Sequence, residues 1–132
     1  SALYQSVNAG MTWARIPTPF PSSFFGLMPL PDGNMMTYGL RGRVALWKNS
    51  KLIQTKQVID ESLFAGVILK DQRVVLAGKR GYIFISDGTG LDFKRMEVMP
   101  NHDISGIVEA DDALILTGDF GIARVAKKDA GI

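Results

Sequence analysis

Residues 73–86 read RVVLAGKRGYIFIS, in which two apolar runs flank the tetrapeptide Gly78-Lys79-Arg80-Gly81. The flanking runs are rich in β-branched and aromatic residues, which favour strands. Glycine adopts the positive φ angles that tight turns between strands require. The stretch therefore predicts a short antiparallel hairpin.

The same pair of glycines recurs along the chain. The three pairs are Gly39 and Gly42, Gly78 and Gly81, and Gly118 and Gly121. Their first members are 39 and 40 residues apart. Two further sets keep this period, namely Gly26, Gly66 and Gly106 at intervals of 40 residues, and Trp13 and Phe93 at an interval of 80. Repeats of about 40–45 residues with four short strands are typical of β-propeller blades, so the sequence predicts an all-β propeller segment.

The 132 residues are predicted to form a single partial propeller. The predicted units are a partial blade at 1–17, blades at 22–58 and 62–99, and an incomplete blade at 103–126, with two, four, four and three antiparallel strands. Closed propellers contain about four to eight blades. About three blades are therefore expected either to be part of a larger propeller or to close a ring as a homodimer, and the sequence leaves both alternatives open.

The composition excludes several classes of protein. Hydrophobic residues make up 46% of the chain and charged residues 21%, as in a folded domain. Basic residues are spread along the chain and give a net charge of only +2, so we expect no nucleic-acid partner. No apolar stretch approaches the roughly 18 residues that span a bilayer, and we expect no membrane span. Cysteine is absent, which excludes disulfides and thiolate metal sites, and the chain opens without a signal-peptide pattern.

Isolated polar groups do not predict a metal or cofactor site. The only histidine, His102, lies beside Asp103 in a turn and has no second histidine or cysteine to complete a transition-metal site. The aspartates at 87, 92, 111 and 112 lack the alternating spacing of calcium loops. We interpret these residues as solvated turns and expect no metal and no cofactor.

Residues 6–13 carry the spacing Ser-x-Asn-x-Gly-x-Thr-Trp. Short polar side chains at such positions can bond to the backbone of the loop, while glycine reverses the chain. The tryptophan is expected to pack into the blade as a cap. The predicted structural motif comprises Ser6, Asn8, Gly10, Thr12 and Trp13, and a looser version at 86–93 ends on Phe93.

This octet, the three glycine turns and the segment LPDG at 30–33 resemble the BNR/Asp-box repeat propellers, with Asn8 in place of the usual aspartate. Within them the chain is most similar to bacterial relatives of the photosystem II stability/assembly factor. The resemblance covers nearly the whole chain. It implies a non-enzymatic scaffold outside the cytoplasm, in the periplasm, that binds a protein partner such as a membrane-complex subunit.

Four basic residues at the turns are the candidate partner-binding residues, namely Arg41, Arg43, Lys79 and Arg80. Because they recur at matching blade positions, we expect them to lie side by side on one rim, where the third repeat has Asp119 and Phe120. Such a row can dock an acidic partner or anionic lipid headgroups. Ordinary solvated turns are the alternative.

A fragment of a sialidase-like glycoside hydrolase is the second hypothesis, since the same repeat occurs in those enzymes, and a blade set that closes a larger enzyme is the third. Hydrolysis needs an arginine cluster, a nucleophile and an acid/base carboxylate at the centre of the ring. Arg41 and Arg80 are expected at rims, and the glutamates show no paired spacing. We therefore predict no enzymatic activity and no catalytic residues.

Most aromatic and methionine side chains fall in predicted strands, where we expect them to pack between blade faces. They are Phe24, Phe25, Phe64, Phe84, Trp47, Met28 and Met36. Phe20 lies among prolines and has no predicted place in a core.

Overall fold

The computed structural model describes residues 2–132 as thirteen strands in four antiparallel sheets, which confirms the all-β prediction. Sheet I comprises β1 (Leu3–Gln5) and β2 (Ala14–Ile16). Sheet II comprises β3 (Phe24–Pro29), β4 (Met35–Gly39), β5 (Arg43–Lys48) and β6 (Lys51–Gln57). Sheet III comprises β7 (Leu63–Ile68), β8 (Val74–Gly78), β9 (Tyr82–Ser86) and β10 (Lys94–Glu97). Sheet IV comprises β11 (Ile104–Ala110), β12 (Ala113–Gly118) and β13 (Gly121–Ala126).

Each sheet is a meander, in which consecutive strands pair in chain order. The first strand of sheet III, β7, contacts the first strands of the two neighbouring sheets, β3 and β11. The first strands of sheets II, III and IV therefore lie side by side along one side of the molecule. Short 3-10 segments follow β4, β8 and β13, at Leu40–Gly42, Lys79–Gly81 and Lys127–Ala130.

The core consists of two apolar layers, one on each face of sheet III. Strand β8 contributes to both, because Val74 and Leu76 pack towards sheet II, whereas Val75 and Ala77 pack towards sheet IV. All four side chains are fully buried. A strand covered on both faces needs a continuous apolar run, which explains the composition of the stretch at 73–86.

The two glycines of each turn have different roles, and the prediction of positive φ is correct only for the second. Gly42, Gly81 and Gly121 have φ of 74°, 75° and 91°. Gly39 and Gly78 are extended, with φ of 174° and −176°. The first glycines, Gly39, Gly78 and Gly118, are required for close approach, because a Cβ there would overlap the carbonyl oxygens of Ser23, Ser62 and Asp103.

The interval of 40 residues between Gly26, Gly66 and Gly106 does not mark equivalent positions. Gly26 and Gly106 pair with the residue that precedes the first glycine of their turns, and the residue with this pairing in sheet III is Ala65. Gly66 follows one position later. Its absence of a side chain has a separate cause, since a Cβ there would overlap the side chain of Met28.

The octet at 6–13 forms a loop between β1 and β2 that is closed by its own side chains. The Ser6 Oγ accepts a hydrogen bond from the Gly10 N–H at 2.8 Å, and the Asn8 Oδ1 accepts one from the Thr12 N–H at 2.9 Å. The predicted cap is wrong in this structure, because Trp13 is 63% exposed and donates its indole N–H to the Gly10 carbonyl at 3.1 Å. Sheet I has only two strands, and the Trp13 ring lies beside Gly10 of its own loop.

Candidate partner-binding surface

Three turns and two connectors lie at the same edge of sheets II, III and IV, and we call this surface the turn face. It comprises turns 39–42, 78–81 and 118–121 and connectors 58–62 and 98–103. Each turn is bonded to the start of its own sheet, since Leu40, Lys79 and Asp119 donate their N–H groups to the carbonyls of Ser23, Ser62 and Asp103. These bonds fix the turns rigidly to the first strands.

Two of the turns are also bonded to the next sheet. The Arg41 N–H donates to the Ser62 Oγ at 3.4 Å, and the Arg80 N–H donates to the Asp103 Oδ1 at 3.1 Å. Both arginines have left-handed backbones, with φ of 56° and 65°. This conformation costs a residue other than glycine about 1–2 kcal/mol, yet an arginine occupies the position in both turns.

Both arginine side chains reach the same connector. The Arg41 Nε lies 2.9 Å from the Asp60 Oδ1 and its second nitrogen 3.3 Å from the Oδ2, and this pairing holds the pKa of the Asp60 carboxyl below its usual range. The Arg80 guanidinium lies 3.7 Å from the Glu61 carboxylate. Two of the four predicted basic residues, Arg41 and Arg80, therefore lie beside connector 58–62 and contact its acidic residues.

The other two basic residues, Arg43 and Lys79, form no ion pair among the described residues. The Arg43 guanidinium carbon lies 5.5 Å from the centre of the Phe20 ring, a cation–π distance. This contact, together with an edge-to-face contact to Phe24 at 5.9 Å, gives Phe20 the place that the sequence did not predict. Lys79 is exposed and forms no ion pair within the part of the chain that the structure describes.

A shallow depression of about 200 Å³ lies beside turn 39–42. It is lined by Pro21, Ser22, Leu40, Arg41, Arg43 and Gln57. Arg41 and Arg43 thus face a common space, as the prediction of neighbouring basic residues requires for this sheet. The lining is largely polar, which suits a charged group better than an apolar ligand.

An exposed aromatic pair at the start of β3 and β7 was missed by the sequence analysis. Phe25 stacks on Phe64 with ring centres 5.7 Å apart and planes inclined by 26°, and Phe25 is 48% exposed. Phe25 therefore contacts the neighbouring sheet as expected, but the contact leaves it about half exposed. Phe25 and Phe64 are the bulged residues of their strands, and a bulge turns its side chain away from the pleat. The equivalent residue in sheet IV is Ser105.

The turn face changes its chemistry at sheet IV. The Asp119 Oδ1 lies 3.0 Å from the His102 Nδ1 and accepts the Asp103 N–H at 3.2 Å. The centres of the Phe120 and His102 rings are 6.0 Å apart, and the two rings are nearly perpendicular. Phe120 therefore occupies the position that Arg41 and Arg80 have in the other two turns, and Asp119 the position of Leu40 and Lys79.

Three further arginines each have a separate partner. Arg73 pairs with Asp71 at 2.7 Å, Arg124 pairs with Asp112 at 2.7 Å, and Arg95 lies 4.8 Å above the Tyr82 ring. Among residues 2–132, no group of three or more histidine, cysteine or acidic side chains is placed to hold a metal ion. The same residues include no helix of the length and apolarity that cross a bilayer.

Comparison with known proteins shows the fold. No protein-family model and no curated protein matches the chain. The solved structure "YCF48 bound to D1 peptide" matches 96% of the chain with a TM-score of 0.75 and 16% identity. The WD40 β-propeller domain of Doa1 matches 85% of it with a TM-score of 0.71 and 11% identity. The chain spans 44% and 39% of these two neighbours, so the prediction of a partial β-propeller is confirmed.

Proposed function

We propose that this protein is a non-catalytic propeller scaffold that binds a polypeptide partner on the turn face. The observation that carries the proposal is the left-handed arginine in two consecutive turns. Backbone strain of this kind persists where the surrounding structure holds it, and it is concentrated at functional sites. Here the left-handed conformation occurs at Arg41 and Arg80, which lie on either side of one connector.

The aromatic pair gives the same surface an apolar anchor. Phe25 and Phe64 lie directly beside the first glycines of the two arginine turns, at the start of their strands. Interfaces derive most of their affinity from a few buried aromatic and arginine side chains. A peptide with an apolar side chain next to acidic residues matches this combination of groups.

The structural neighbour that was solved with a D1 peptide supports a peptide-binding role for this arrangement of strands. The proposal extends to the assembly of a membrane-associated complex, as in the photosystem II stability/assembly factor-like proteins with BNR/Asp-box repeats. The side-chain bonds of the octet at 6–13 support that repeat type. In this proposal the protein acts in the periplasm, and its recovery with cytoplasmic markers on cell fractionation would contradict that part.

Selection from a peptide library tests the proposal and requires no purified partner. We expect the protein to enrich acidic peptides with an apolar residue. The double variant Arg41→Glu/Arg80→Glu should bind the enriched peptides at least about tenfold more weakly in calorimetry, because it places negative charge opposite an acidic ligand. A matched reversal of exposed lysines on outer strands, Lys51→Glu/Lys94→Glu, should leave affinity within about twofold.

Replacement of Phe25 by serine tests the aromatic anchor in the same assay. Serine already stands at the equivalent bulge of sheet IV, at Ser105, so the fold should tolerate the change. We expect affinity to fall at least about fivefold with an unchanged melting temperature. Failure to enrich any peptide, or equal losses in the lysine control, would refute the proposed function.

A further inference from the structure

Ser22 has an unusual position in the depression beside turn 39–42. Its Oγ is withdrawn from solvent and has no hydrogen-bond partner, and it is the one such side-chain atom found among the described residues. Buried hydroxyls are normally hydrogen-bonded, because an unpaired one loses its bonds to water without replacement. Ser22 is one of the residues that line the depression, and the only side-chain torsion that moves its hydroxyl is χ1.

The hydrogen-bond donors around the depression differ in whether their N–H groups already have partners. Gln57 uses its amide NH₂ on the Arg41 carbonyl at 2.8 Å and on the Asp60 Oδ1 at 3.2 Å. Arg41 uses two of its nitrogens on Asp60. Arg43 contacts the face of Phe20 and makes no ion pair in residues 2–132, so its planar set of N–H donors remains available.

The charges select the class of ligand. Arg41 and Arg43 contribute two positive charges, and Asp60 contributes one negative charge, which leaves one positive charge for a bound group. A carboxylate carries one negative charge and accepts two parallel N–H bonds from a guanidinium. A phosphate carries about 1.5–2 negative charges, which exceeds the single positive charge that remains.

We propose that the depression binds one carboxylate group of a partner polypeptide, held between the Arg43 guanidinium and the Ser22 hydroxyl. The inference rests on the proposed function and assigns to it a subsite and a ligand group. The carboxylate comes from an acidic side chain or from the carboxyl terminus of the partner. Both sources present the same two oxygens to the same donors.

Titration with sodium acetate tests the subsite directly, at ionic strength held constant with sodium chloride. We expect saturable amide shifts at Ser22 and side-chain shifts at Arg43 in heteronuclear NMR, with a millimolar dissociation constant. Arg43→Gln should weaken acetate binding at least about tenfold and Ser22→Ala about threefold or more. The matched controls Ser23→Ala and Arg15→Gln should leave it unchanged, because neither residue lines the depression.

Two peptides then distinguish the source of the carboxylate. One carries a single internal aspartate and an amidated end, and the other carries a free carboxyl terminus and no acidic side chain. The proposal predicts that at least one of them shifts the Ser22 and Arg43 signals and loses affinity in Ser22→Ala.

Three results would overturn the inference: no saturable acetate shift, equal acetate binding by Ser22→Ala and the parent protein, or tighter binding of methyl phosphate than of acetate. Enriched peptides that bind while acetate does not would remove the subsite and leave the proposed function standing. Acetate binding without any enriched peptide would leave an anion site and remove the function.

Discussion

Two glycines at the same position of the repeat separate backbone strain from steric overlap. Gly81 and Gly121 have similar positive φ angles, but a Cβ on Gly81 would overlap the Met99 carbonyl, whereas one on Gly121 would meet nothing within 4 Å. The difference arises because the chain that follows the fourth strand of sheet III passes over Gly81, and sheet IV has no fourth strand among the described residues.

We expect Gly121→Ala to lower the free energy of unfolding by about 1–2 kcal/mol, the cost of a left-handed alanine. Gly81→Ala should cost about 1–3 kcal/mol more, because overlap with backbone atoms is added. Chemical denaturation of both variants measures the difference. Equal losses would show that the chain after β10 does not pass over Gly81.

Single residues also show where sequence reasoning reached its limit. The recurring glycine pairs are visible in the sequence itself, and they predict the positions of the three turns correctly. The exposure of Phe25 was not visible, because the bulge that rotates it depends on the register of β3 against β4. The pairing of Arg41 with Asp60 joins residues 19 positions apart, and it becomes apparent only when connector 58–62 is in place.

At the scale of elements, one ion pair fastens the 3-10 segment Lys127–Ala130 to two sheets. The Glu109 carboxylate on β11 accepts the Lys127 ammonium at 2.5 Å and the Lys70 N–H, in the turn after β7, at 2.8 Å. The Glu109 side chain is only 8% exposed. The bond from Lys127, followed by that from Lys70, holds the pKa of the Glu109 carboxyl below its usual value.

A depressed pKa in the folded state means that this stabilisation is complete above the ordinary glutamate pKa of 4.5 and is lost as the pH falls through the folded pKa. We expect Glu109→Gln to lower the free energy of unfolding at pH 7 by roughly 1.5–3 kcal/mol. It should also flatten the loss of stability between pH 5 and pH 3, as measured by urea unfolding.

Asp92→Asn provides the control, since the Asp92 side chain is fully exposed and 3.7 Å from Lys56. It should change neither stability nor its pH dependence beyond about 0.5 kcal/mol. An unchanged acid profile in Glu109→Gln would show that this contact does not fasten the segment.

The strands themselves were the most predictable elements. The sequence predicts strands at 2–7, 43–48, 82–86 and 113–118, among others. Strands β5, β9 and β12 have the predicted limits, and the other strands with predicted limits differ by one or two residues at an end. Alternating or continuous apolar runs between glycine turns are strong local signals, whereas strand ends depend on which neighbour pairs with them. Strand β1 is shorter than predicted because only three of its residues pair with β2.

At the scale of the whole molecule, the sheets at both ends of the series, sheets I and II at one end and sheet IV at the other, expose apolar side chains. Tyr4 and Leu27 are each 59% exposed at one end, and Val108 and Ile122 are 56% and 77% exposed on the outer face of sheet IV. Closure of a ring would cover these faces and the unpaired edge of β13. A second copy of this chain or further blades of a longer one could each provide this cover, which leaves open both alternatives that the sequence predicts.

Light scattering distinguishes the two alternatives: if two copies close the ring, the mass should be about twice the 14.4 kDa of one chain. Ile122→Lys should shift the protein to a single chain, because a charge enters the proposed contact. Ile53→Lys, at a residue 51% exposed on the outer strand β6, should leave the mass unchanged. A mass of one chain for the parent protein, at concentrations where it remains folded, would contradict the association.

The forward bonds of the turns bear on the ancestry of the repeat. Turn 39–42 donates to a side-chain oxygen of Ser62, and turn 78–81 donates to a side-chain oxygen of Asp103 at the same position of the next unit. Both junctions therefore join a backbone N–H of a turn to a side-chain oxygen at the same position of the next unit. A gene segment that encodes one unit could be copied in tandem. The new unit would carry both the donor for the unit after it and the acceptor for the unit before it. Lineages could lengthen or shorten such an array without inventing an interface each time.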